Sequence, residues 1–217
     1  ETTYGQFNEQ NFSQVGMRMT YHDRLDNLPG YLQGAQLEMF HAKIRHTELK
    51  NGKDATRLEA LKLVDIASYS PRNDFVTPLS WEVSTGLKRP TAQHAELVAF
   101  LSAGWGGSYL WGTQQFYGLA FFDLNADDDI DKGHHFSAGP KLGWLSQHED
   151  WSMNIELSQN FDISGADFET RAIELGFSKN LSTHWQVRLN GQYLKHSDNE
   201  QNRDYTKALS LSLMHYF

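Results

Sequence analysis

Apolar and polar side chains alternate with period two along almost the whole chain, and no other feature constrains the fold as strongly. Val15, Met17, Met19 and Tyr21 oppose Gln14, Gly16, Arg18 and Thr20. Leu79, Trp81, Val83 and Leu87 oppose Ser80, Glu82, Ser84 and Lys88. Trp151, Met153, Ile155 and Leu157 oppose Ser152, Asn154, Glu156 and Ser158; Trp185, Val187, Leu189 and Tyr193 oppose Gln186, Arg188, Asn190 and Gln192. The last segment sets Leu209, Leu211 and Leu213 against Ser210, Ser212 and Met214. One apolar and one polar face is the pattern of an antiparallel sheet.

Turn-forming stretches such as KNGKDA, SPRNDFVTP, NADDDIDKG and HSDNEQNRD divide this pattern at regular intervals. Eleven strand candidates result, at 11–21, 35–46, 56–67, 79–89, 94–106, 114–124, 135–146, 151–161, 168–178, 184–195 and 204–217, and 2–7 supplies a short twelfth, read as clipped. Strands of soluble sheets run about 5–6 residues, whereas a tilted membrane-spanning strand needs about 9–11. The expectation is an all-β, transmembrane, antiparallel β-barrel of about twelve strands, one domain over 1–217, in a bacterial outer membrane. The soluble alternative is a sandwich or lipocalin-like barrel with its apolar faces turned inward.

Composition favours the membrane case. The chain carries 6 Trp, 9 Tyr and 13 Phe, and many apolar faces begin or end on one of them, as an interfacial girdle requires. The uncharged run 97–122 is long enough to suggest a membrane helix, but its glycines, glutamines and serines exclude one. A net charge of −8 argues against a nucleic-acid partner. With no Cys there is no disulfide framework, thiolate metal site or cysteine nucleophile. Residues 1–10 are polar and hold no signal peptide, which reads as a mature or trimmed product.

In a barrel with lipid outside, Arg18, Glu38, Glu82, Lys88, Lys141, Glu156, Glu174 and Arg188 face the lumen. Equal numbers of opposite charges should pair there, because an unpaired buried ion costs several kcal/mol. The chain closes on SLSLMHYF, and its terminal Phe217 resembles the signal that the barrel assembly machinery reads on outer-membrane proteins, with His215 where Tyr is more usual.

The stretches YHDRLDNLPGYLQGAQLEMF (21–40) and LKLVDIASYSPRNDFVTPLSWEVSTGLKR (61–89) resemble the carboxy-terminal barrel of bacterial proteins with an Lnb-type amino-terminal periplasmic domain. In that family the barrel follows a papain-like globular domain, and no catalytic residue carries over from the barrel itself. With both termini periplasmic, turns at 22–34, 68–78, 107–113, 147–150 and 179–183 lie on that side. The two longest carry Asp23, Arg24, Asp26, Pro29, Tyr31, Pro71, Arg72, Asp74 and Pro78. Arg24, Asp26, Tyr31, Arg72 and Asp74 are candidates for docking a periplasmic domain or protein; alternatively, these turns plug the lower mouth.

Other chemistry is sparse. Asp123, Asn125, Asp127, Asp129 and Asp131 alternate as in a calcium loop, but Asp128 replaces the required Gly and His134 the bidentate Glu. A solvated acidic loop is the plainer account, with calcium the cofactor candidate. His135 and Ser137 are similar to the His–Ser pair of outer-membrane phospholipase A, although here they should face the lumen. The functional expectation is therefore a non-catalytic outer-membrane anchor or narrow conduit. Its surroundings are membrane lipid and lipopolysaccharide; a lipid hydrolase and a small-solute pore are the alternatives.

Overall fold

The computed structural model describes residues 1–26, 32–48, 55–89, 96–126, 133–165, 168–198 and 203–216. Among these residues thirteen strands appear, in the order β1 (Thr2–Phe7), β2 (Gln10–His22), β3 (Ala35–Thr47), β4 (Ala55–Ser68), β5 (Pro71–Arg72), β6 (Ser80–Lys88), β7 (Val98–Trp111), β8 (Gln114–Ala126), β9 (His134–Gln147), β10 (Trp151–Gly165), β11 (Phe168–Asn180), β12 (Trp185–Asp198) and β13 (Arg203–His215). Each full strand pairs antiparallel with its chain neighbours, β7 pairs with β8, and β1 pairs with both β2 and β13. The result is a closed twelve-stranded antiparallel barrel, with β5 as one extra short strand parallel to β7. No helix of the described residues is long and apolar enough to cross a membrane.

The packing is inverted relative to a soluble protein. Val15, Met17, Met19, Leu101, Leu142, Leu157, Leu209 and Leu211 are exposed on the outer wall. Gln14, Glu38, Glu82, Lys141, Glu156, Gln186 and Arg188 are buried inside. An apolar outer wall is stable only against hydrocarbon, and a closed barrel leaves no strand edge unsatisfied there. A small apolar cluster of Ala67, Tyr69, Tyr117, Leu119 and Leu145 is buried within the barrel.

Three details differ from the alternation. The chain does not turn at 107: β7 runs through Gly106 and Gly107 to Trp111, and the turn is only Gly112–Thr113. Those glycines interrupt the apolar pattern because the backbone needs them. A Cβ at Gly106 would lie 1.9 Å from the Gly118 carbonyl oxygen, and one at Gly107 2.7 Å from the Arg72 guanidinium. Pro140 cannot donate to the ladder, yet it causes no bulge. The ladder to β10 lapses opposite it with the register kept, and the irregularity falls at Asp162–Ser164. Finally, Phe40 is an extra residue in β3 with φ +51°, so the alternation resets and both Glu38 and His41 point inward.

Candidate functional site

Residues 23–26, which follow β2, do not hang below the barrel; they fold into the lumen. Asp26 accepts from the Asp23 amide at 2.7 Å, and Asp23 Oδ1 accepts from the Leu25 amide at 2.8 Å, so two carboxylates tighten the turn. The same carboxylates meet two arginines of the wall. Arg18 on β2 donates to Asp23 at 2.7 Å and to both Asp26 oxygens at 2.7 and 2.8 Å. Arg188 on β12 donates to Asp23 at 2.5 Å and also to Asp26. Tyr216, just beyond β13, donates its hydroxyl to Asp26 and accepts from Arg18 at 3.3 Å. Two guanidiniums and two carboxylates balance, which is what makes burying either sign tolerable.

Arg24 reaches the other way. It donates to Tyr117 at 2.9 Å, Tyr69 at 3.1 Å and Glu156 at 3.2 Å, and its Nε donates to Gln36 at 3.0 Å. Glu156 also accepts from Tyr117 at 2.8 Å, while Lys141 lies 2.5 Å from Glu82 and 3.3 Å from Glu156. The turn's backbone is held as well: the Leu25 carbonyl accepts from Ser178 at 2.7 Å and Gln186 at 2.9 Å, and the Arg24 carbonyl from Gln147 at 2.9 Å. Leu25 packs over Gly176, where a Cβ would come within 2.7 Å of it. Residues 23–26 thus span the lumen between β8 and β2, which lie nearly opposite in the ring.

Burial alone would raise the Asp23 carboxyl, but Arg188 and Arg18 outweigh it and hold the group well below the usual carboxylate range. Burial raises the Tyr216 hydroxyl above its ordinary range, and Asp26 adds to this against the opposing arginines, so it stays a donor. Beside this plug lies a polar cavity of about 390 Å³, whose lining includes Lys43, Lys62, Asp65, Glu174, Gln192 and Ser210.

Each candidate residue has a definite place. Arg18, Glu38, Glu82, Lys141, Glu156 and Arg188 belong to the network around the plug. Lys88 faces Asp123 at 3.5 Å, and Glu174 accepts from Gln192 at 2.9 Å beside the cavity. The docking assignment for Arg24 and Asp26 is corrected: their charges are spent inside the barrel. Arg72 is likewise committed, to the carbonyls of Gly106 at 3.2 Å and Pro78 at 3.4 Å. Asp74 is exposed; Pro29 and Tyr31 lie outside the described residues.

Asp123 and Asn125 stand on β8 rather than in a loop, joined to each other at 2.7 Å, and Asp123 also accepts from Ser102. Asp127, Asp129, Asp131 and Phe217 lie outside the described residues. Among the described residues no group of three His, Asp or Glu side chains is arranged to hold a metal ion. His135 is 2% exposed and Ser137 is 0% exposed, both on the inner face of β9. His135 lies 3.6 Å from Asp162, and Ser137 Oγ has no hydrogen-bond partner among the described residues. The pair is turned away from lipid.

Alternation alone did not reveal His41, Lys62 and Asp65 as lumen residues. His41 contacts Glu38 at 3.5 Å and Glu1 at 3.3 Å, and Lys62 pairs with Asp65. Each sits beside a register shift, which no local sequence signal marks.

A closed barrel with an apolar exterior and a charged, self-paired interior defines an outer-membrane β-barrel. The chain matches the family described as "Domain of unknown function (DUF7840)" over residues 1–216 and belongs to it. No curated protein matches the sequence. Among solved structures, the NanC porin is similar, with 7% identity and a TM-score of 0.54 over 100% of this chain and 98% of that one. The transport unit of the autotransporter AIDA-I from Escherichia coli gives 13% identity and a TM-score of 0.44, covering 100% and 88%. The anion-selective porin from Comamonas acidovorans gives 15% and 0.42, covering 95% and 59%.

Proposed function

We propose that this barrel is a non-conducting, non-catalytic anchor that holds a periplasmic domain or partner at the outer membrane. The observation that carries the reading is the plug. Residues 23–26 cross the lumen and are fixed on both sides by buried ion pairs with Arg18, Arg188 and Glu156. A solute passing through would have to break several of them together, and removing one partner of a buried pair costs about 3–5 kcal/mol. The resemblance of 21–40 and 61–89 to barrels that follow an Lnb-type periplasmic domain supports the choice of partner. The exposed Asp74 is then one group left on the periplasmic side to meet it.

Liposome swelling with small sugars and amino acids tests the anchor against the pore, and fatty-acid release from phospholipid and lipopolysaccharide, with and without calcium, tests it against the hydrolase. The anchor gives neither flux nor release. Flux through the unmodified chain supports the narrow conduit, and release that vanishes in Ser137→Ala supports the hydrolase.

A further inference from the structure

Residues 73–78 form a tight turn between β5 and β6. β6 begins only at Ser80, opposite Gly106, and β5 takes the vacant place beside Ser108 and Tyr109 of β7. Arg72 secures this end of the turn through the Gly106 and Pro78 carbonyls. Asn73 then closes it: its amide donates to the Val76 carbonyl at 2.9 Å, and its Oδ1 accepts from the amides of Phe75 at 2.9 Å and Val76 at 2.8 Å. An Asn side chain that replaces a backbone acceptor in this way fixes a turn without any apolar contact. The turn presents Phe75, 94% exposed, with Val76 exposed beside it.

An apolar pair held rigidly in the open marks a contact surface. Its neighbours identify the occupant. The parallel register of β5 on β7 leads the turn toward the level of Leu110 and Trp111. Trp111 is 82% exposed, and Tyr109, Leu79 and Trp81 are exposed on the adjoining outer wall. These are the groups an interfacial aromatic belt uses, because a ring with a polar edge is stable at headgroup depth. By the register of β5 on β7, Phe75 and Val76 stand at the same end of the barrel as that belt and are exposed like it. The short turns Gly112–Thr113 and 148–150 mark this end of the barrel as periplasmic.

We propose that the Asn73–Pro78 turn is a membrane foot, which seats Phe75 and Val76 among the phospholipids of the periplasmic leaflet and fixes the depth and tilt of the barrel. This contact depends on the membrane-spanning wall alone and holds whether or not a periplasmic domain docks.

The chain has no Cys, so one introduced thiol can be labelled cleanly. A nitroxide at Val76→Cys keeps Phe75 in place. Labels at Val15→Cys and Glu149→Cys report the lipid-facing wall and the water on the same side. In phosphatidylethanolamine–phosphatidylglycerol vesicles, the ratio of collision rates with oxygen and with a nickel chelate at position 76 should exceed that at 149 several-fold and approach that at 15. In Phe75→Ser the ratio at 76 should fall toward that at 149. A ratio at 76 equal to that at 149 in the otherwise unmodified chain overturns the proposal. Shielding from both reagents overturns it too, in favour of a protein contact.

Discussion

Arg188 on β12 and Asp23 in the β2–β3 turn lie 165 positions apart in the chain and 2.5 Å apart in space. Between them they convert an ordinary-looking Asp-rich turn into a crosspiece of the lumen. Asp26 doubles the contact and brings in Arg18 and Tyr216, so β2, β12 and the chain end beyond β13 are tied through one turn. Asp26→Asn leaves two buried guanidiniums sharing one nearby turn carboxylate. Urea unfolding in vesicles should show a loss of about 3–5 kcal/mol, against about 0.5 kcal/mol or less for Asp74→Asn at the exposed turn.

The plug should withstand acid. The folded Asp23 carboxyl is held below its unfolded value, so its stabilisation is fully present above the unfolded pKa of about 4 and is lost as pH falls through the folded one. The stability difference between the unmodified chain and Asp23→Asn should therefore stay constant from about pH 7 to pH 5 and shrink only below about pH 4. A difference that already collapses near pH 6 would mean that Asp23 is not paired with Arg188.

Two glycines mark where backbones meet too closely for any side chain. Gly106→Ala sets a Cβ 1.9 Å from the Gly118 carbonyl, and Gly139→Ala sets one 1.7 Å from that of Gln159. Both should abolish the heat-modifiable band that a folded barrel gives on electrophoresis. Gly118→Ala meets only the Leu142 side chain at 3.3 Å, which can yield, and should fold.

Much of this architecture is legible in the residues, and the reason is physical. Lipid outside and polar groups inside impose period two, so Met17, Arg18 and Met19 declare their sides locally. The β7 segment past Gly106 is not legible, because the glycines that permit close strand contact are also the usual punctuation of turns. The plug is hidden more deeply. Asp23 and Asp26 are ordinary turn residues by type, and nothing near them in the chain points to Arg188 or Tyr216. Bulges conceal the rest: the extra Phe40 brings His41 and Glu38 onto one face, where a strict alternation would separate them.

Ser137 offers a separate check on the interior. Its hydroxyl is buried without a partner among the described residues, so Ser137→Ala removes a polar group that no side chain there meets. The variant should be as stable as the unmodified chain or more stable by about 1 kcal/mol. Tyr117→Phe should behave oppositely and lose about 1–3 kcal/mol in urea unfolding, since Glu156 and Arg24 both lose a partner.

Planar-bilayer recording tests the plugged anchor most directly. The unmodified chain should insert without a stable open level, and Asp23→Asn combined with Asp26→Asn should produce long-lived openings as the turn leaves the lumen. A large, steady conductance from the unmodified chain, unchanged in that double variant, would contradict the account.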